Sequence, residues 1–157
     1  MEFDPHSVTQ ENLHELRAAA EQAWADDTRH PHYEGHPLPS AGQCHVTSWW
    51  LTKKLGGSVG LKNGHYFWVS PDRHYVIDLT GDQFAGEPHD MSFYGARLDE
   101  EDEGWTPTKE QSEWRDGPIV YKLASHPIYK GFRIKDPKTV SPRMKLFAQR
   151  ADEAYGA

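Results

Sequence analysis

Residues 39–57 read PSAGQCHVTSWWLTKKLGG, and residues 64–84 read GHYFWVSPDRHYVIDLTGDQF. The apolar pattern changes period between these two stretches, and that change decides the fold. In the first, Cys44, Thr47 or Ser48, Leu51 and Leu55 recur at helical spacing. Val46, Trp49 and Trp50 cover an adjoining face, and Gly56-Gly57 supplies the stop. In the second, His65, Phe67 and Val69 alternate with Tyr66 and Trp68. After Pro71-Asp72, the residues His74, Val76 and Asp78 alternate with Tyr75, Ile77 and Leu79. The expectation is a helix that starts at the cysteine, followed by a β-hairpin.

Outward from this centre, Ser7 or Thr9 can cap an opening helix, with Gln10 completing a capping box. Leu13, Leu16, Ala20, Ala23 and Trp24 give that helix an apolar face to about Trp24. Residues 28–42, rich in Pro and Gly, read as an extended loop. The segment 81–104 holds the acidic run from Asp99 to Glu103 and reads as an exposed loop. Residues 119–123 and 128–134 are strand candidates. Residues 141–154 read as a closing helix, with Pro142 near its start and Met144, Phe147, Ala148 and Ala151 on one face. The sum is one α+β domain over residues 1–157. Its N-terminal helices pack on a small antiparallel sheet, a C-terminal helix closes it, and a loop or insertion occupies about 86–118.

Composition sets outer limits. The chain has 157 residues and a formal charge of −7, enough for one compact domain with a modest core. Aliphatic residues are sparse, but six Trp, seven Tyr and six Phe supply large apolar surfaces, so the core is expected to be built from rings. One cysteine excludes an intramolecular disulfide and a multi-thiolate zinc site. The acidic charge, with no Lys/Arg cluster before residue 130, argues against nucleic acid as a partner. The opening MEFDPHSVTQ has neither a basic segment nor an apolar stretch, and no apolar run approaches the roughly 20 residues of a membrane helix. A cytoplasmic protein without a membrane partner is expected.

Cys44 falls in the first turn of its helix, where unpaired backbone N–H groups and the macrodipole favour a thiolate. Such a sulfur becomes a nucleophile when a histidine can form an ion pair with it. From its position alone, a lone cysteine is more often a small buried apolar residue. The hairpin favours the chemical reading. With a two- or four-residue loop centred on Pro71-Asp72, Val69 faces His74, Phe67 faces Val76 and His65 faces Asp78. Opposed residues share a face with Cβ atoms about 5 Å apart, so Asp78 can hold one ring nitrogen of His65 and leave the other for Cys44. Proline cannot take the positive φ of a type I′ turn, which favours the four-residue loop. A three-residue loop would break this register.

The stretch PSAGQCHVTSWWLTKKLGG, followed by GHYFW and IDLTGDQF, resembles the YunG-like family of bacterial and phage proteins. That pattern couples a Gly-Gln-Cys helix start to a His-Tyr-Trp strand and an Asp-Leu-Thr-x-x-Gln-Phe ending. The resemblance covers about residues 10–86 and the closing helix, and 86–135 has no clear counterpart. The family in turn resembles papain-like cysteine hydrolases of the transglutaminase and NlpC type. This implies a papain-like fold with Cys44 as nucleophile, His65 as general base and Asp78 as orienting carboxylate. The glutamine that would assist the oxyanion several residues earlier is replaced by Leu38, and Phe67-Trp68 stands where the pattern has Trp-Asn. Gln43, the Cys44 backbone N–H and Gln83 are therefore the candidate oxyanion or substrate-binding groups. Gln83, with Phe84, also suits a role in fixing the loop after the hairpin.

Three classes follow. The first is a cysteine peptidase or amidase acting on a peptide or protein substrate, without a cofactor or metal. The second is a transglutaminase-like acyltransferase or deamidase on the same triad. The third is an inactive module that binds another protein. His30, His32 and His36 near Cys44 and His45 form a weak zinc alternative whose spacing matches no known ligand pattern. The Asp99 to Glu103 run reads first as a solvated loop and second as a patch for a basic partner.

Overall fold

The computed structural model describes residues 10–35, 37, 39, 41–62, 64–80, 121–122 and 131–156. Among the described residues, three helices pack on a five-stranded antiparallel sheet, which makes the architecture α+β. Helix α1 spans Gln10–Ala23, α2 spans Cys44–Leu55 and α3 spans Pro142–Ala154. A single 3₁₀ turn, Pro31–Tyr33, interrupts the loop between α1 and α2. The strands are β1 Ser58–Lys62, β2 His65–Val69, β3 Tyr75–Ile77, β4 Tyr121–Lys122 and β5 Arg133–Ile134, in spatial order β4-β3-β2-β1-β5.

The helices form where the apolar residues recur at helical spacing, and α3 has a side-chain cap as well. Leu13, Leu16, Ala20 and Ala23 of α1 are buried, and that helix packs chiefly on α3. Ser141 caps α3 by accepting from the Met144 N–H, and Pro142 fits the first turn, where a backbone N–H has no helical acceptor. Met144, Phe147 and Ala151 are its buried face. Helix α2 begins at Cys44 and stops at Gly56, which takes φ +74°. It is buried continuously from Val46 to Leu51, so it runs through the middle of the core. The expected caps Ser7 and Thr9 lie outside the described residues.

Two features of the sheet differ from expectation. Residues 58–62 form β1, which pairs with β2 along its whole length from Ser58↔Val69 to Lys62↔His65. Only Asn63-Gly64 lies between the strands, and Asn-Gly is a strong signal for a two-residue hairpin. The short, Gly-interrupted sequence SVGLK hid this strand. Gly60 serves packing here, because a Cβ at that point would lie 2.7 Å from the Phe67 ring. The second difference is the register of the hairpin β2–β3, where Trp68 pairs with Ile77 and Val69 with Val76. The pairing is displaced by two residues from the one that sets His65 opposite Asp78. The turn gives the reason. Pro71 follows Ser70 in a turn closed by the Arg73 N–H donating to the Ser70 carbonyl at 2.9 Å, Arg73 takes φ +64°, and the Ser70 N–H donates to the Tyr75 carbonyl. The loop is thus residues 71–74, again four long but one step later. A slip of two keeps every side chain on its expected face.

Strand β5 extends the sheet beyond β1, through Gly60↔Ile134 and Leu61↔Arg133. The expected strands 119–123 and 128–134 are represented among the described residues by β4 and β5. The 86–118 loop and the acidic run lie outside them. Among the described residues no helix is long and apolar enough to cross a membrane.

Candidate functional site

Cys44 is the first residue of α2 and is partly exposed. The loop after α1 holds this helix start in place. The side-chain amide of Gln43 donates to the Ala25 carbonyl at 3.0 Å and accepts from the Thr28 hydroxyl at 3.0 Å. The His30 N–H donates to the Gly42 carbonyl at 2.9 Å, and the Trp24 indole donates to Thr47 at 2.9 Å. Gly42 is required at the bend, since its φ is +74° and a Cβ there would lie 2.9 Å from the Cβ of Tyr33. Gln43 is fully buried in these contacts. Its side chain therefore does not line the cleft as an oxyanion or substrate-binding donor, and the helix start carries no side-chain cap. Gln83, the other candidate of that kind, lies outside the described residues.

His65 opens β2 and is buried at 7% exposure. Its Nε2 donates to Asp78 Oδ2 at 2.6 Å. Continued past Ile77, the observed register sets Asp78 opposite Phe67, one step along the same face from His65, so the contact is diagonal. The second oxygen of Asp78 accepts from the Thr80 N–H at 3.3 Å and from the Thr80 hydroxyl at 3.2 Å, which fixes the carboxylate. Cys44 lines the same cleft as His65 and also raises the pKa of its ring. With Nε2 engaged by Asp78, Nδ1 is the nitrogen left for the sulfur. Burial pushes the His65 imidazole down, but the Asp78 charge and hydrogen bond, aided by Cys44, push it further the other way, up to about 10.

The pair opens on a cleft of about 750 Å³ lined by Cys44 and His65 on one side and by Tyr33, Arg133 and Arg143 elsewhere. His45, next to Cys44, stacks on Tyr66 with ring centroids 4.3 Å apart. Its pKa is lowered by burial and then by the charges of Arg143 and His30. Two cleft residues, Arg133 and Arg143, had no signal in the local sequence, because nothing in the spacing of residues 130–145 points back to residue 44. Among the described residues no group of three or more His, Cys, Asp or Glu is arranged to hold a metal ion, and His36 lies outside them.

The fold and site define a class of α+β protein in which a helix-start cysteine adjoins a buried His–Asp pair at the mouth of a cleft. A family model described as YunG protein matches residues 12–115, and the chain belongs to that family. The match runs past residue 86, so part of the segment expected to have no counterpart belongs to the family pattern. No curated protein and no solved structure matches the chain.

Proposed function

We propose that the protein is a cysteine hydrolase of papain-like design that cleaves an amide or peptide bond. The observation that carries this reading is the buried His65, bonded to Asp78 at 2.6 Å, sharing one cleft with the partly exposed Cys44 at the first turn of a helix. A raised histidine pKa keeps the imidazolium beside the sulfur at neutral pH, the arrangement that stabilises a thiolate. Helix-start amides add to that stabilisation. The Cys44 thiolate attacks the carbonyl carbon, and the carbonyl oxygen becomes an oxyanion facing the Cys44 N–H. As the C–N bond breaks, His65 gives its proton to the leaving amine. Water, deprotonated by His65, then attacks the thioester and releases the acid and the sulfur. Asp78 holds the ring orientation throughout. An amine in place of water would make the same site an acyltransferase, and a side-chain amide substrate would make it a deamidase.

The test is the rate of iodoacetamide labelling at Cys44 against pH. Reaction is expected to persist well below the free-thiol pKa of about 8.5, and to lose that acidic reactivity in His65→Ala. Labelling that rises only near the free-thiol value would leave the protein as a binding module without a nucleophile.

A further inference from the structure

The charge of the cleft is opposite to that of the chain. The molecule carries −7 overall, yet among the described residues the cleft beside Cys44 is lined by Arg133, Arg143 and histidines, with no Asp or Glu. Arg133 stands on the edge strand β5 and Arg143 in the first turn of α3. Neither forms an ion pair with a carboxylate among the described residues. Arg143 donates from one terminal nitrogen to the Arg29 carbonyl at 3.2 Å, while its Nε is buried without a hydrogen-bond partner among the described residues. An unsatisfied buried donor is unfavourable, so Arg143 lines the cleft with part of its hydrogen-bonding capacity unused among the described residues. Guanidinium groups stay charged at every pH the protein meets and match carboxylates with two parallel bonds.

We infer that the substrate is anionic, bearing a carboxylate near the scissile amide that Arg143 and Arg133 receive. The chemical class is an acidic peptide segment or a similar acidic amide. This rests on the hydrolase reading above.

Iodoacetate and iodoacetamide attack the same sulfur and differ in charge alone, so their rate ratio at Cys44 reports the field of the cleft. The ratio cancels any effect common to both reagents. It is expected to exceed that of a small free thiol by roughly tenfold, as cationic clefts raise the local concentration of anions. It should fall severalfold in Arg143→Gln and in Arg133→Gln, the latter an exposed position that also serves if the former does not fold. A ratio equal in variants and parent would overturn the inference, even with fast iodoacetamide labelling, because His65 alone would then explain any preference. Slow labelling by iodoacetamide would overturn the nucleophile and leave the charge question to binding. For that, glutarate and glutaramide are titrated into Cys44→Ser protein. Tighter binding of glutarate, lost in Arg143→Gln, supports the anionic class, and equal or absent binding of the two overturns it.

Discussion

His65 depends on two partners and opposes its own burial. With Asp78 replaced by Asn, the largest influence that raises its pKa is gone while burial remains, so the pKa should fall from about 10 toward or below its ordinary 6.5. A histidine NMR titration reads this directly, and the pH profile of Cys44 labelling should move alkaline with it. The same shift governs stability. The folded state keeps the His65 proton up to about pH 10, whereas the unfolded chain releases it near 6.5. The contribution is therefore complete below about pH 6.5 and is lost as pH rises toward 10. Urea midpoints of the parent should decline across that window relative to Asp78→Asn, and parallel curves for the two proteins would contradict the assignment. The cysteine, histidine and aspartate themselves were legible from sequence, because a helix start and an alternating hairpin each mark position within a few residues. The use of Gln43 was not, since its partners Ala25 and Thr28 stand on a different loop.

At the level of elements, the junction between α2 and β1 sets how the site helix meets the sheet. Gly56 and Gly57 both take positive φ, at +74° and +76°, but their surroundings differ. A Cβ at Gly56 meets nothing within 4 Å, whereas one at Gly57 would lie 2.3 Å from the Val69 carbonyl oxygen and 3.0 Å from Trp68. Gly56→Ala should cost about 1–3 kcal/mol for its backbone conformation alone, since φ +74° with ψ −155° is essentially a glycine-only region. Gly57→Ala should cost more, about 3–5 kcal/mol, because the strand or the indole must also move. Equal losses of urea midpoint would show that close packing is not the constraint. The hairpin shows how an element can be read correctly while its register is not. Alternation assigns faces, but the turn chemistry of Ser70, Pro71 and Arg73 assigns partners. A two-residue displacement was invisible to the first and decided by the second.

Across the molecule, Trp50 joins the site helix to the closing helix. It is fully buried, lies edge-on to Phe147 and Tyr155, and donates to Asp152 at 2.9 Å. Phe147→Ala should destabilise the protein by about 3–5 kcal/mol, measured by denaturant unfolding. The Cys44 labelling profile should keep its acidic reactivity in the folded fraction, because the His65–Asp78 bond is made within the sheet. Loss of that reactivity together with stability would mean that α3 positions the site helix directly. The amino-acid sequence by itself determined the helix from Cys44 to its glycine stop, the hairpin, the faces of its strands and the order of cysteine, histidine and aspartate. Those features rest on caps, turns and periodicities encoded over a few neighbouring residues. Only the tertiary structure decided that Asp78 meets His65 diagonally, that Gln43 turns inward, and that Arg133 and Arg143 reach the cleft of Cys44. These depend on the packing of elements far apart in the chain, where local propensity carries no information about which surfaces meet.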